Sequence, residues 1–442
     1  MEQVKEVGVV VCNYNKKEYI LDCIQSILDA DGDNYDIYVV DNASEDGSVE
    51  AIKEKYSRQV VLIENKENMG GSGGFNTGLR AALEKGHPYL MCVDNDVQFD
   101  TRNIAELLLF LKEHTDVGMV GSKILFMDDP DRIQTMGAKI DYQKYHVTDL
   151  YRHSIDDETI PDHVYCDYVP ACSLMVRADA VKKVGIMPEE NFIYYDDMDW
   201  GVRFNIAGYK VAGISAAKVW HKGGGSVSDS TFNKYYMFRN RIRFFMKYLQ
   251  EEKKEAFARY ILDELYRSAC ACSLKGDAAM AKTFMYAYDD AIHGVTGKAA
   301  EHKILKRQDG KRFGNLVKSR DSILVIFGGD YANIGNIMVR LKMMECDRKC
   351  TICVRDYPDE LEKMQQQYPD HVVTTATEKE QYDLVLKMCS HIFEVTDRQM
   401  EGVYLDQWQN LLETEEEFEL AKSFKSSKEM FIRLNLPLMI QG

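Results

Sequence analysis

The sequence of 442 residues contains no apolar run approaching the roughly 20 residues that a membrane-crossing helix needs; runs such as that at 7–12 are far shorter. Its first residues, Met1-Glu-Gln-Val-Lys-Glu6, are charged and lack the apolar core of a secretory signal. Basic residues are in deficit, 55 Lys and Arg standing against 71 Asp and Glu for a formal charge of −16, which argues against a protein that binds nucleic acid by releasing phosphate counterions. The 11 cysteines follow no regular spacing, so no disulfide framework is indicated and a reducing, cytoplasmic setting fits best. Apolar material is ample, with 45% hydrophobic and 11% aromatic positions, enough for sizeable cores in two or three domains.

Through residue 93, short β-branched runs alternate with amphipathic stretches: 7–12, 18–28, 36–41, 48–56, 60–64, 74–85 and 89–93. The pattern predicts β-α-β-α-β-α-β, hence an α/β fold with a mostly parallel sheet whose ligands sit beyond the carboxyl ends of the strands. The polar segments fall there: Asn13-Tyr14-Asn15, Asp41-Asn42-Ala43-Ser44, residues 65–74 and Asp94-Asn95-Asp96 would share one rim. The organisation read from the chain is a first domain over 1–230, a helical connector over 231–320, and a smaller Rossmann-like α/β domain over 321–442, with strands expected at 323–327, 350–355, 372–375 and 391–395. The chain stops soon after the apolar segment 434–440, which leaves that last domain open to being incomplete.

Asp94 and Asp96 follow an apolar strand, where two carboxylates flanking one residue can both reach a hard divalent cation such as Mg2+ or Mn2+ that bridges to a substrate diphosphate. The competing reading is an Asx-rich turn that caps the next segment. Asp196-Asp197-Met198-Asp199-Trp200, preceded by Phe192-Ile-Tyr-Tyr195, sets acids beside an aromatic wall; these acids either cap a helix or supply a general base whose pKa is raised by partial desolvation. His221, before Gly223-Gly224-Gly225, is either structural or the third ligand that the two acids need. The run Asn68-Met69-Gly70-Gly71-Ser72-Gly73-Gly74-Phe75-Asn76 lacks a following Gly-Lys-Ser/Thr and follows the third strand rather than the first, so neither the Walker nor the dinucleotide fingerprint applies; its glycines suit a backbone that approaches a sugar or diphosphate. Cys346, Cys350 and Cys353 are read as buried thiols near a strand rather than cluster ligands. The segment 235–248 interleaves aromatics with cations and reads first as a core-facing helix with solvated charges, then as a basic helix at an anionic lipid surface, then as a nucleic-acid platform.

These pieces, in this order over residues 5 to 245, resemble the inverting glycosyltransferases of family 2, which have the nucleotide-sugar-binding GT-A fold. The glycine run, the Asp-Asp-x-Asp at 196–199 and Trp220-His221 resemble the branch of bacterial galactofuranosyltransferases and rhamnosyltransferases; no Gln-x-x-Arg-Trp of the processive synthases is present. The resemblance implies metal-dependent transfer of a sugar from a UDP- or dTDP-linked donor to a hydroxyl of a cell-surface polysaccharide or lipid-linked acceptor. It implies that Asp197 is the catalytic base, with Asp196 beside it, and that Tyr195 and Trp200 shape the acceptor site. Asn13, Tyr14, Asp41, Asn68, Gly70, Gly71, Asn76, Asp94 and Asn95 would bind the nucleotide-sugar, Asp41 by accepting from the base's imide, and Asp94, Asp96 and His221 would hold Mn2+ or Mg2+. A contact with the inner face of the cell membrane and a homo-oligomer are compatible with it. Two alternatives are a sugar nucleotidyltransferase, which needs a glycine-rich triphosphate loop that Asn13-Tyr14-Asn15-Lys16-Lys17 does not supply, and a non-catalytic nucleotide-sugar-binding scaffold. Val403-Tyr-Leu-Asp-Gln-Trp408 resembles, faintly, part of a two-lobed glycerophosphate-polymer transferase, which implies a binding or scaffolding role for the C-terminal region.

Overall fold

The computed structural model describes residues 4–222, 230–307, 312–347, 350–376, 381–396, 400, 402–406 and 410–441. The glycines at 223–225 and the pair Gln407-Trp408 lie outside the described residues. The chain divides into two compact units, one of residues 1–229, 236–250 and 294–300, the other of 230–235, 251–293 and 301–442.

In the first unit β1 (Val7–Asn13), α1 (Lys17–Leu28), β2 (Tyr35–Asp41), α2 (Ser48–Tyr56), β3 (Val60–Glu64), α3 (Gly70–Lys85) and β4 (Tyr89–Asp94) alternate as the sequence pattern predicts. β5 (Val97–Phe99), α4 (Asn103–Glu113), β6 (Val117–Phe126), β7 (Asp129–Thr135), β8 (Ala138–Asp141), β9 (His146–Asp149), β10 (His163–Cys166), β11 (Ser173–Arg177), α5 (Ala178–Val184), α6 (Asp196–Ile206) and β12 (Lys210–His221) follow, and then α7 (Thr231–Tyr248), which belongs to this unit from residue 236 on. Val7, Val9, Val10 and Val11 of β1 are all fully buried, as befits a strand with helices on both faces. In α1 the buried residues Ile20, Cys23, Ile24 and Ile27 fall at the spacing of a single apolar stripe.

The main sheet runs β10-β12-β6-β11-β4-β1-β2-β3, with β5 on β12 and β7 on β6. It is parallel across β4-β1-β2-β3, the half in which the alternating pattern was legible. Beyond it the sheet is mixed, β11 running antiparallel to both β4 and β6. The register sets Asn13 opposite Asp41, and Cys12 opposite Asp94, so three strand ends share one rim.

The helix expected from 74 begins earlier, at Gly70, so the glycine run forms the first turns of α3. Glycine inside a helix costs roughly 0.5–1 kcal/mol relative to alanine, so the packing must offset it. It does so by proximity: a Cβ at Gly78 would lie 2.3 Å from Val10 Cγ1, and one at Gly74 2.3 Å from Cys12 Sγ. The helix lies on β1 closer than any larger residue allows.

In the second unit α8 (Glu251–Leu274) and α9 (Ala278–Ile292) precede a six-stranded sheet. Its remaining elements are α10 (Arg312–Lys318), β13 (Ile323–Ile326), α11 (Tyr331–Met343), β14 (Cys350–Cys353), α12 (Leu361–Gln367), β15 (Val372–Thr374), β16 (Leu384–Cys389), β17 (Val403–Asp406), β18 (Leu411–Leu412) and α13 (Glu415–Gln441). The order is β15-β14-β13-β16-β17-β18, parallel except for β18. The strand expected at 391–395 is a short 3-10 helix, Ile392–Val395; the fourth strand is β16, one segment earlier. Cys346, Cys350 and Cys353 are all buried, the last two bounding β14. Among the described residues no helix is long and apolar enough to cross a membrane.

Candidate active site

The rim is held together by side-chain amides. Asn13, fully buried at the end of β1, donates from Nδ2 to Asp41 Oδ2 at 2.9 Å and accepts at Oδ1 from Asn95 Nδ2 at 2.8 Å. Asp41 accepts from the Ser44 backbone N–H at 2.8 Å through its other oxygen, and only 1% of the residue is exposed. Each oxygen of Asp41 thus accepts one hydrogen bond within the protein, and each keeps a further lone pair. Tyr14, next along the chain, is exposed over 45% of its surface and offers the rim an open aromatic face. Asn42 ties the β2 end to the start of α3: its Nδ2 donates to Gly70 O at 2.8 Å and its Oδ1 accepts from Met69 N at 3.1 Å. Asn68 Oδ1 in turn accepts from Gly70 N at 2.8 Å, the local side-chain-to-backbone bond that asparagine favours at such turns.

Two members of the expected donor set recur here as packing residues. A Cβ at Gly70 would lie 2.0 Å from the Phe192 carbonyl oxygen. Asn76 is fully buried and spans Met187 through both its amide groups, at 2.9 and 3.1 Å. A Cβ at Gly71 would lie 3.6 Å from Asp196 Oδ2. Gly70 and Asn76 dock α3 against the segment leading to the acids, while Gly71 stays partly exposed beside Asp196.

Asp94 ends β4, Asp96 lies in the turn before β5, and His221 ends β12, which pairs with β5 so that His221 stands opposite Val97. That pairing brings His221 Nε2 to 3.2 Å from Asp96 Oδ1 and 3.9 Å from Asp94 Oδ2. Lys16 Nζ lies 3.2 Å from Asp96 Oδ2. The other imidazole nitrogen, Nδ1, is 2.9 Å from Gln134 Oε1, which orients the ring as metal-bound histidines are usually oriented. Cys172 Sγ joins them, since ligand atoms of Asp94, Cys172 and His221 all lie within 4.8 Å of one another. Sequence reasoning missed Gln134 and Cys172, which come from β7 and from the residue before β11.

The charges at this cluster oppose one another. Burial alone would raise the Asp96 pKa, but the hydrogen bond and charge of His221, with Lys16, hold it at about 2. His221 would be lowered by burial and is instead raised, by the same contact with Asp96. Asp94 is pushed up to about 6, by desolvation first and then by Asp96; with 41% of its side chain exposed, solvent softens the first cause. Two carboxylates and one imidazole form an O,O,N donor set suited to a hard or borderline divalent ion, and the unmet charge on Asp94 is what such an ion would neutralise.

Asp196 and Asp197 open α6, and the backbone before them is unusual: Phe192, Tyr194 and Tyr195 have φ of +66°, +64° and +65°. Each left-handed non-glycine residue costs roughly 1–2 kcal/mol, so the surrounding structure must hold the segment in place. Asp197 accepts from Ala171 N at 3.2 Å and from Met198 N at 2.7 Å. Ala171 precedes Cys172, so the Asp197 carboxylate adjoins the Asp94 and His221 cluster, and its charge is one of those that raise Asp94. Asp197 is itself raised, chiefly by burial. Asp196 is only 8% exposed and is pushed up to about 8, by burial and then by the charge of Asp197.

The elevation of Asp196 has a measurable sign. The folded state keeps a proton that the unfolded chain releases near pH 4, so stability from this source is full below the ordinary carboxylate range and is lost as pH rises toward about 8. Asp196→Asn is expected to remove that loss. Its melting temperature should exceed that of the native protein by roughly 3–6 °C at pH 8, and the two should converge at pH 4, as read by thermal scans across that range.

The two residues assigned to the acceptor differ in outcome. Tyr195 lies beside the acids, partly exposed, with its ring 5.5 Å from that of Phe244. Trp200 is a correction: it is fully buried, Nε1 donates to Gly185 O at 2.8 Å, and the ring packs edge-on against Phe204. One turn into α6 it faces the core, and a side chain sealed from solvent cannot wall an acceptor site. Asp199 is likewise structural, paired with Arg203 at 3.0 Å and Lys247 at 2.7 Å.

An α/β unit whose parallel strands end in a shared rim of amides, carboxylates and an imidazole defines the class of the site. Residues 8–178 match the family model Glycosyl transferase family 2. The match takes in Asn13, Asp41, Asp94 and Asp96 and ends before Asp196, Asp197 and His221. Among curated relatives, the galactofuranosyltransferase GlfT2 of Mycobacterium tuberculosis is 24% identical over 198 residues, 41% of this chain and 31% of that protein. An uncharacterized glycosyltransferase of Haemophilus influenzae is 22% identical over 236 residues, 53% of this chain and 70% of that protein. The chain spans about a third of the length of the GlfT2 proteins that it matches. Among solved structures, GalNAc-T7 with UDP, GalNAc and Mn2+ aligns with a TM-score of 0.47 at 14% identity, covering 59% of this chain and 51% of that one. TarS of S. aureus, as the fragment 1–349, aligns at 0.44 and 17%, covering 66% and 81%.

Proposed function

We propose that the N-terminal unit transfers a sugar from a nucleotide-sugar to an acceptor hydroxyl with inversion at the anomeric carbon. The observation that carries this reading is the convergence of Asp94 and Asp96, from the end of β4 and the turn after it, with His221 from the end of β12, and the Asp197 carboxylate fixed on Ala171 one residue from Cys172 in the same cluster. A divalent ion held by Asp94, Asp96 and His221, Mn2+ or Mg2+, would supply charge neutralisation to a departing diphosphate.

The chain's own residues supply the rest. Asp197 stays the better base of the acid pair, because two backbone N–H groups favour its ionised form while Asp196 keeps its proton to about pH 8. As the acceptor oxygen attacks the anomeric carbon, its proton passes to Asp197, the bond from that carbon to the diphosphate oxygen breaks, and the diphosphate leaves with the electron pair. One displacement inverts the configuration. Asn13, Tyr14, Asp41 and Asn95 border the nucleotide, Asn13 and Ser44 orienting the Asp41 carboxylate. The donor is UDP- or dTDP-linked, and similarity to GlfT2 supports galactofuranose as a first candidate, with rhamnose the second. The acceptor is a cell-surface polysaccharide or a lipid-linked glycan met at the inner membrane face, and the parallel sheet of residues 321–442 binds or scaffolds.

The test is a panel of UDP- and dTDP-sugars incubated with the full chain and Mn2+, with released nucleoside diphosphate measured. At least one donor is expected to give turnover that EDTA abolishes. Saturable donor binding with no turnover on any acceptor would favour a scaffold instead, and pyrophosphate release from a nucleoside triphosphate would favour a nucleotidyltransferase.

A further inference from the structure

The helix α7 was expected to send its charges to solvent, yet Arg239 is fully buried and Asn240 is 1% exposed. Both side chains turn toward the backbone that precedes the acid pair. Asn240 Nδ2 lies 2.9 Å from Asn191 O, 2.8 Å from Ile193 O and 3.0 Å from Tyr194 O, so one amide gathers three carbonyls of a five-residue segment. Arg239 fixes which way that amide faces: its Nε donates to Asn240 Oδ1 at 3.0 Å, leaving the N–H groups for the carbonyls. Arg239 adds its own bonds, from Nη2 to Asn191 O at 3.0 Å and from Nη1 to Gly297 O at 2.9 Å.

The segment so gripped is the left-handed one. Phe192, Tyr194 and Tyr195 have positive φ there, with only Ile193 between them ordinary, and the carbonyls that such a backbone turns inward need donors once buried. From the far side, α3 closes on the same turn, since Gly70 admits the Phe192 carbonyl and Ser72 Oγ donates to it at 3.4 Å. Tyr195 is the residue before α6, so its φ sets where Asp196 and Asp197 point.

We propose that Asn240, oriented by Arg239, is a positioning residue that locks the 191–195 backbone and thereby aims the Asp196 and Asp197 carboxylates at the strand-end cluster. The role of those carboxylates rests on the transfer reading above; the lock itself does not. Aspartate at 240 keeps the size and removes the donors, and serine keeps one donor with less bulk, so the pair of variants separates the hydrogen bonds from the packing.

The experiment measures Asn240→Asp and Asn240→Ser in the full chain, with kcat, donor KM, the pH profile of kcat and amide hydrogen exchange over 190–199. Asn240→Asp is expected to lower kcat roughly 10- to 100-fold with donor KM within about threefold, to move the rising limb of the pH profile, and to speed exchange over 191–199 while β1 and β4 keep their protection. Asn240→Ser should recover part of kcat and provides the measurement if the aspartate variant does not fold. Unchanged kcat and an unmoved pH limb in either folded variant would overturn the proposal, as would loosening spread evenly through the unit. If the native chain turns over no donor, the transfer reading fails, and exchange over 191–199 alone decides the lock.

Discussion

Asp197→Asn is expected to lower turnover by about 10²- to 10⁴-fold, the range that a positioned general base contributes, while binding of the nucleoside diphosphate stays within about threefold. The substitution is close to isosteric. It keeps one oxygen for Ala171 N or Met198 N and sacrifices the other bond, a loss of roughly 1 kcal/mol. It also removes the charge that raises Asp196, so the fold should lose little. The neighbour gives the contrast. On the proposed reading Asp196, pushed up to about 8, is the protonated partner of the pair, so Asp196→Asn is expected to cost much less turnover near neutrality. Steady-state rates of the two variants, with calorimetric titration of the nucleoside diphosphate, check the pair. If Asp197→Asn turns over at the native rate, Asp197 has no part in proton transfer; if Asp196→Asn is the slower of the two, the roles are reversed.

The rim was legible because parallel strands in this fold are buried on both faces and end abruptly. Runs such as Val9-Val-Val11 and Val39-Val40 mark the strands, and the polar residues that end them, Asn13, Asp41 and Asp94, are the ones that gather on the rim. The start of α3 was not legible, since five glycines within nine residues read as a loop by propensity; what makes them helical is the contact with Val10 and Cys12, which no local pattern displays. Trp200 was misjudged by adjacency: three residues after Asp197 means nearly a full turn deeper, toward Phe204 and Gly185. Gln134 and Cys172 gave no signal at all, because Gln134 in β7 and Cys172 just before β11 reach the cluster only through antiparallel pairing of distant segments, which no local pattern displays. In the second unit the apolar segment Ile392–Val395 looked like a strand and is not, whereas β16 carries a lysine, Lys387, inside it that masked its burial.

The second large effect concerns the donor set. Asp96→Ala combined with His221→Ala is expected to weaken Mn2+ binding by more than about 100-fold, because loss of even an outer partner of a metal ligand typically costs 10- to 100-fold and here two ligating groups go together. The readout is the free Mn2+ signal in electron paramagnetic resonance, which requires no turnover. Gln134→Ala, which leaves both ligands in place and frees only the far side of the imidazole, should fall in the lower range of about 10-fold or less. The order of these effects matters more than their size. If His221 is a structural residue that merely neutralises Asp96, replacing it should leave Mn2+ affinity unchanged or improve it by removing a competing positive charge. If instead His221 ligates, its removal weakens binding even though an ion pair has been broken in favour of the cation. The sign of the change for His221→Ala alone therefore separates a ligand from a counter-ion, and an affinity that rises would end the proposal that Asp94, Asp96 and His221 hold a single ion.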